Sequence, residues 1–223
     1  MPRWTAPLLA LALTGTLSAC GGQDAPPARP EATSTFTAGD VPVLVPGAPG
    51  APATVLAPGQ SGVMANANAY RDEDVAFMTD MVAHHTQALR MAELAPDRAQ
   101  DTRVQRLAER IAAGQGPEID VMQAWLTSQG LPTADQGADH TMHQGMPGMA
   151  SPEQMTRLVA AQGPALDRLF LQMMIAHHEG ALLMADQAVG AAHPVVTDQV
   201  DDTVATQSVE IDRMQQVLET LPA

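Results

Sequence analysis

Two adjacent pairs of histidines have the residue type and spacing that favour metal chemistry. The pairs are His84-His85 and His177-His178, and they occur in two similar stretches. Each stretch has the same set of residues at helical spacing: an aromatic residue, a methionine, the first histidine, an alanine and a second methionine. This spacing predicts that they form one stripe on a helix. The second histidine of each pair is rotated by about 100° onto a neighbouring apolar face. We therefore expect all four imidazoles to be buried. The methionines of the two stripes are Met81, Met91, Met174 and Met184.

A buried imidazole needs partners for its ring nitrogens, because an unsatisfied buried polar group costs roughly 1 to 3 kcal/mol. A lone histidine usually meets this need with a hydrogen bond to a neighbouring group. Two adjacent pairs, each flanked by methionines, favour a shared metal site instead. Imidazole together with a soft thioether selects Cu(I), whereas imidazole alone serves Cu(II) or zinc. We expect copper, with Cu(I) favoured, Cu(II) an alternative and zinc less favoured.

A second group of soft ligands lies between the two stretches, in a polar, glycine-rich segment with no expected core to fill. We interpret this segment as a flexible copper-binding arm, and the alternative is a linker of biased composition. Its candidate ligands are His140, Met142, His143, Met146 and Met149.

The first twenty residues are typical of a secretory signal. Arg3 supplies a positive charge, and the apolar run from Leu8 to Leu17 is too short for a permanent membrane span. Leu17-Ser-Ala-Cys20 resembles a lipobox, which predicts a signal peptide over residues 1–19 and lipidation of Cys20. The alternative is an ordinary signal with an incidental cysteine. We expect an exported lipoprotein, anchored in a membrane and facing the periplasm or the cell exterior.

The composition excludes several classes of site and partner. Cys20 is the only cysteine, so zinc fingers and iron–sulfur clusters are excluded. The formal net charge of −14 argues against nucleic acid or acidic lipid as a partner. Residues 20–69 are rich in Pro, Gly and Ala and are expected to form a flexible, disordered tether.

From residue 70 onward the apolar period is close to 3.6, which predicts an all-α domain over residues 70–223. We expect hairpin one over 70–130, a Met/His-rich linker over 131–150 and hairpin two over 151–223. Helices are expected over 72–95, over 97–130 with a kink at Gly116-Pro117, from Ser151 to Gly190 with an interruption near Gly163-Pro164, and from Pro194 to Thr220.

The second helix of each half also repeats, with Glu118 matching Glu210. Two copies of one helical hairpin close most simply into an antiparallel four-helix bundle.

The doubled Phe-x-x-x-Met-x-x-His-His-x-x-Ala-x-x-Met-Ala pattern, followed by Gln-x-x-Glu-Ile-x-x-Met, resembles the bacterial family called domain of unknown function 305. The resemblance covers Asp72 to about Leu221. It implies a ferritin-like four-helix fold in an exported protein, and some members are similar to periplasmic copper-binding proteins of the CopM type. It also implies a site at the four paired histidines, with Glu118 and Glu210 on the partner helices. Gly116-Pro117 before Glu118 departs from the pattern.

No catalytic constellation competes with metal binding. Di-iron sites in ferritin-like bundles use Glu-x-x-His on two helices, and the sequence contains no such motif. We predict a membrane-anchored copper-binding protein for sequestration or delivery, and not an enzyme, with a copper-handling protein as a candidate partner and the oligomeric state open. The alternative is a structural or interaction module of the cell envelope whose histidines are satisfied inside the bundle. A metal-dependent oxidase comes third.

Overall fold

The structure, a computed structural model, describes residues 33–45, 52–65, 69–133, 145–191 and 193–222. Within these ranges the chain is mostly helical, which confirms the predicted fold class. The helices are α1 (Asp72–Ala92), α2 (Thr102–Ser128), α3 (Pro152–Ala160), α4 (Gly163–Gln187) and α5 (Pro194–Glu219). The strands are β1 (Thr33–Thr37), β2 (Val43–Val45), β3 (Thr54–Leu56) and β4 (Ser61–Ala65). No helix in the described residues is both long and apolar enough to cross a membrane.

The helix starts and breaks follow local sequence signals. Ser151 begins α3 as predicted, since its hydroxyl accepts a hydrogen bond from the Gln154 backbone N–H at 3.2 Å. The interruption expected near Gly163 separates two helices, α3 and α4, and Gly163 adopts a φ of 57° there, a value that favours glycine. Helix α2 continues through Pro117 as one helix.

The segment predicted as a disordered tether contains two antiparallel strand pairs. Strand β1 pairs with β4, and β2 pairs with β3, so that the β2–β3 hairpin falls between β1 and β4 in the sequence. The tether prediction is wrong for these strands, because short runs of threonine and valine favour extended backbone even in a Pro/Gly-rich segment. The predicted signal peptide, Cys20 and residues 46–51 lie outside the described residues.

The bundle consists of two helical hairpins, α1 with α2 and α4 with α5, joined through α1–α4 and α2–α5 contacts. One hydrophobic cluster contains Met91, Phe170 and Met174, and the other contains Phe77, Met81 and Met184. The start of α1 therefore packs beside the end of α4, so the two helices are antiparallel. The paired histidines lie between the clusters along both helices.

Two aspartates at equivalent positions of the repeat fix one hairpin against the other. The Asp74 carboxylate accepts hydrogen bonds from the backbone N–H groups of Arg71 at 2.9 Å and His193 at 3.3 Å. The Asp167 carboxylate accepts from the backbone N–H groups of Gln100 at 3.0 Å and Asp101 at 2.9 Å. Each aspartate thus holds the residue that precedes the second helix of the other hairpin. This arrangement sets both histidine pairs at the same depth.

Candidate metal centre

The centre of the bundle is a contact between His84 of α1 and His177 of α4. Their ring centroids are 3.7 Å apart and the ring planes are inclined by 38°. Both side chains are fully buried. The two hairpins thus bring together two of the four predicted histidines, one from each hairpin.

His84 is held in one tautomer. Its Nε2–H donates to the Pro147 carbonyl oxygen at 3.0 Å. Because a carbonyl can only accept, Nε2 carries the proton and Nδ1 carries the lone pair. Nδ1 is buried and has no partner. Burial, aided by the nearby His85 and His178, lowers the pKa of His84 to about 3, so the ring is neutral near pH 7.

His177 has no hydrogen-bond partner for its ring, unlike His84, its equivalent in the first copy of the repeat. Both of its ring nitrogens are buried without a hydrogen bond. Burial, and next the adjacent His84 ring, hold the pKa of His177 well below its usual value, although the His84 backbone acts in the opposite direction without forming a hydrogen bond of good geometry. The result is a neutral imidazole with an unused lone pair in the core, a state that is costly unless a ligand occupies it.

The second histidine of each pair binds a glutamate on the partner helix. His85 Nε2 lies 2.7 Å from Glu118 Oε2, and His178 Nε2 lies 2.8 Å from Glu210 Oε2. The Glu118 side chain is 20% exposed, whereas that of Glu210 is 6% exposed. Each carboxylate is thus placed to orient an imidazole. The Nδ1 atoms of His85 and His178 are buried without partners.

The four predicted methionines are buried on either side of the histidines. Met81 and Met184 belong to one hydrophobic cluster, and Met91 and Met174 belong to the other. They fill core space, as methionine often does, and their thioethers lie on the same helices as the imidazoles. Met81 and Met174 precede His84 and His177 by three residues, so each pair shares a helix face.

The donor chemistry of this centre fits a soft or borderline metal ion. The buried ring nitrogens without a partner are His84 Nδ1, His85 Nδ1, His178 Nδ1 and both nitrogens of His177. In the part of the chain that the structure describes, no three His, Cys, Asp or Glu side chains are arranged to hold one ion. The four predicted histidines are therefore not gathered as one ligand set, and the structure brings together one from each hairpin, His84 and His177. Imidazole nitrogen is a ligand that suits copper, and added thioether sulfur would favour Cu(I).

A short strap, residues 145–150, crosses the histidine pair and was not anticipated from the sequence. Besides the bond from His84 to Pro147, the Gln87 amide both donates to the Ala150 carbonyl at 3.0 Å and accepts from the Ala150 N–H at 2.7 Å. Gly148 of the strap packs against Gly180 of α4, and neither residue has room for a Cβ. Gln87 and Gly180 occupy equivalent positions of the repeat, and this mismatch between the copies was an available signal.

The predicted copper-binding arm is only partly described. His140, Met142 and His143 lie outside the described residues. Met146 is half-buried and packs against the cluster that contains Met81, and Met149 is also half-buried. The expectation that these methionines have no packing role is wrong for Met146, because the strap that carries it lies on the bundle.

Two buried glutamines near the centre were also missed. Gln115 and Gln207 occupy equivalent positions, three residues before Glu118 and Glu210 respectively, and both amide groups are buried without a hydrogen-bond partner. The repeat Gln-x-x-Glu in both halves was the signal in the sequence. They make the core beside the histidines more polar than an ordinary bundle core.

His193 has a structural role at the end of the bundle. Its Nδ1 accepts hydrogen bonds from Trp125 Nε1–H at 3.1 Å and from the Val195 N–H at 3.2 Å. It thereby caps α5 and connects it to α2. Burial lowers the pKa of His193, although Asp74 acts in the opposite direction.

Comparison with known proteins gives one family. The family described as Domain of unknown function (DUF305) matches residues 74–218. A presumed secreted DUF305 protein from Streptomyces coelicolor is 34% identical, with 66% of this chain and 92% of that chain covered and a TM-score of 0.59. A DUF305 fragment from Deinococcus radiodurans is 33% identical, with 68% and 99% covered and a TM-score of 0.63.

A third solved structure, CopM in the Cu(II)-bound form, is 29% identical to this chain. The match covers 66% of this chain and 95% of CopM, with a TM-score of 0.57. CopM is also known in Cu(I)-bound and Ag-bound forms, each 28% identical. The comparison with curated proteins gave no match.

Proposed function

Since the chain belongs to the DUF305 family, we propose that it is an exported copper-binding protein that holds the ion as cargo, for sequestration or delivery, at the buried His84–His177 centre. The ion is bound and released, and no substrate is turned over. The observation that carries this proposal is the set of buried imidazole nitrogens without partners. Leaving a buried nitrogen unsatisfied costs roughly 1 to 3 kcal/mol, and a cation bound to a lone-pair nitrogen of His84 or His177 would remove that cost for that atom.

The residues have distinct roles in this proposal. His84 offers Nδ1, because its Nε2 proton is engaged by Pro147, and His177 offers either nitrogen. Glu118 and Glu210 hold His85 and His178 through Nε2, as carboxylates commonly do for metal-binding histidines. Neutral imidazoles and thioethers in a buried site favour Cu(I), because a monovalent ion is less costly to transfer from water than a divalent one.

The likeness to CopM supports copper, since that protein is known with Cu(I), Cu(II) and silver bound. The likeness to a presumed secreted protein supports export. We further propose membrane attachment through a lipid on Cys20, on the basis of the lipobox-like sequence before it. Mass spectrometry of membrane-extracted protein tests this attachment, and an unmodified Cys20 or an uncleaved signal would contradict it.

The decisive experiment is an anaerobic Cu(I) titration against a competing chelator, with protein that carries no polyhistidine tag. The wild type is compared with the His84→Leu/His177→Leu double variant. Met122→Leu, a volume-conserving change in the same buried core, is the control. We expect the double variant to lose tight binding that the control keeps. Equal binding by all three proteins would remove the site from this centre.

One observation favours a second candidate, a non-catalytic structural or interaction module of the cell envelope. His84, His85 and His178 each have one hydrogen-bond partner, so much of the centre is satisfied without metal. In that case neither Cu(I) nor Cu(II) should alter the melting temperature. Oxygen consumption in the presence of Cu(I) or Fe(II) tests the third candidate, an oxidase.

A further inference from the structure

The strap, residues 145–150, is the part of the chain that separates the histidine pair from its surroundings on one side of the bundle. It lies across α1 and α4 at the level of His84 and His177. It contacts α1 through His84 and Gln87 and contacts α4 through Gly180. The strap therefore lies over the His84 ring and over the α4 backbone from Ala176 to Gly180.

On the α1 side, the strap is held by hydrogen bonds that can exchange with water. The carbonyl of Pro147 accepts from His84, and the backbone of Ala150 is paired twice with the Gln87 side chain. Each such bond adds little net stability, because it replaces a bond to water, and so the α1 side of the strap can open locally.

On the α4 side, the strap is held by close backbone packing. A Cβ added to Gly180 would collide with the Pro147 carbonyl oxygen, and one added to Gly148 would lie 2.6 Å from the Ala176 carbonyl oxygen, which is also too close. Glycine at these two positions is what allows the strap to lie down on the helix.

Open pockets lie on both flanks of the strap. One cavity of about 520 Å³ is lined by Gln87, Met149 and Met155 among others. The other, of about 380 Å³, is lined by Gly148, Met149 and Ala176 among others. Open space therefore lies on both flanks of Met149, while Gly148 packs closely against α4.

The strap also breaks the symmetry of the repeat. A two-fold bundle has equivalent surfaces over His84 and His177, but a single strap must contact them differently. Gln87 on one helix provides hydrogen bonds, and its equivalent Gly180 provides space. His84 has a partner in the strap, whereas its equivalent His177 has none.

We propose that the strap is a displaceable cover, and that its opening, with loss of the bond from His84 to Pro147, controls how fast a soft cation reaches the histidine pair. This inference rests on the proposed function for the identity of the cargo. The covering of His84 is independent of that function and can be tested without any metal.

The test uses two variants that release the strap from opposite sides. Gly180→Ala introduces a methyl group that collides with Pro147, while alanine itself is the better helix former. Gln87→Leu removes both bonds to Ala150 at similar volume. The matched control is Gly114→Ala, a helical glycine with nothing within 4 Å of an added Cβ. Circular dichroism checks that each variant retains the helical content of the wild type, and the two independent variants guard against a folding defect in either one.

Three measurements are made on the full chain. Hydrogen exchange of the Ala150 amide reports strap opening, because that N–H is bonded to Gln87. Modification of His84 by diethyl pyrocarbonate, located by peptide mapping, reports exposure. Stopped-flow uptake of Ag(I), a redox-inert probe, reports loading. We expect increases on the order of tenfold in all three for both variants, as expected from losing one or two hydrogen bonds, and none for the control.

Faster exchange at Ala150 with unchanged modification of His84 and unchanged Ag(I) uptake would overturn the proposal, because the strap would then move without acting as the barrier. Unchanged exchange in both variants would overturn it as well. If the wild type takes up no Ag(I) or copper at all, the proposed function fails. Hydrogen exchange of the Ala150 amide and modification of His84 would then still decide whether the strap covers His84.

Discussion

The imidazole rings of His84 and His177 lie 3.7 Å apart between centroids, yet only His84 has a hydrogen-bond partner. At this distance two imidazolium rings would repel strongly in a buried setting, so the apoprotein keeps the pair neutral. Neutral imidazoles present lone pairs, and lone pairs attract cations and protons alike. Protons and metal ions should therefore compete for the same ring nitrogens.

The first prediction concerns acid. The pKa of His84 is about 3 in the folded protein against 6.5 for an ordinary histidine, and that of His177 is shifted in the same direction. Between pH 6.5 and about 3 the unfolded chain binds more protons, so folding stability falls as the pH falls. Each such histidine contributes about 1.4 kcal/mol per pH unit well below pH 6.5. Urea unfolding of the apoprotein at pH 7.5, 6.5 and 5.5 measures the slope.

The control for this slope is the His84→Leu/His177→Leu variant, which should depend less on pH over the same range. Some dependence should remain, because burial also lowers the pKa of His193. An identical slope in the wild type and the double variant would mean that these two rings do not titrate as buried neutral groups.

The second prediction concerns the glutamates. Glu118→Gln and Glu210→Gln keep an acceptor oxygen beside His85 and His178 but remove the charge. If the carboxylates orient and polarise imidazoles that bind copper, each change should weaken copper affinity by about tenfold or more. The exposed Glu109 gives the control, Glu109→Gln. Competition titration compares the three, and affinities equal to the wild type would assign the glutamates a purely structural role.

Much of the fold follows from the sequence because its signals are local and doubled. The apolar period of 3.6 and the recurring His-His pairs predicted the hairpins, and Ser151 and Gly163-Pro164 marked helix boundaries that the structure retains. The strand pairs within residues 33–65 were not predicted, because the strands are only three to five residues long and β1 pairs with β4 across the β2–β3 hairpin. Composition alone describes such a segment as a tether.

The candidate site was predictable only in part. Equal depth of His84 and His177 follows from the repeat, and Glu118 and Glu210 recur in both halves. The strap could not be predicted, because its bonds to His84 and Gln87 join residues that are 63 positions apart. The one local signal was that Gly180 stands in the second copy where the first copy has Gln87. This difference can be interpreted only once the contacts of the strap are known.

The third prediction concerns Met142, Met146 and Met149, the methionines proposed as ligands outside the core. Replacing all three by leucine should lower the number of Cu(I) ions bound. Leucine matches methionine in volume, so the half-buried Met146 and Met149 should tolerate the change at a cost below about 1.5 kcal/mol. Copper stoichiometry and thermal melting are measured on the same samples. Unchanged stoichiometry with a large loss of stability would give these residues a packing role alone.

The last prediction asks whether the histidine pair stabilises the apoprotein or reserves a site. If the rings only satisfied other groups, replacing both His84 and His177 by leucine would strand partners and cost several kcal/mol. His177 has no partner to strand, and the Pro147 carbonyl lies on the displaceable strap, so we expect a change within about 2 kcal/mol of zero. Copper should raise the stability of the wild type by RT ln(1 + [L]/Kd) and should not do so in the double variant. Melting curves with and without Cu(I) measure both effects. Equal copper-induced shifts in the two proteins would place the binding site elsewhere, with the methionines between the two hairpins as the next candidates.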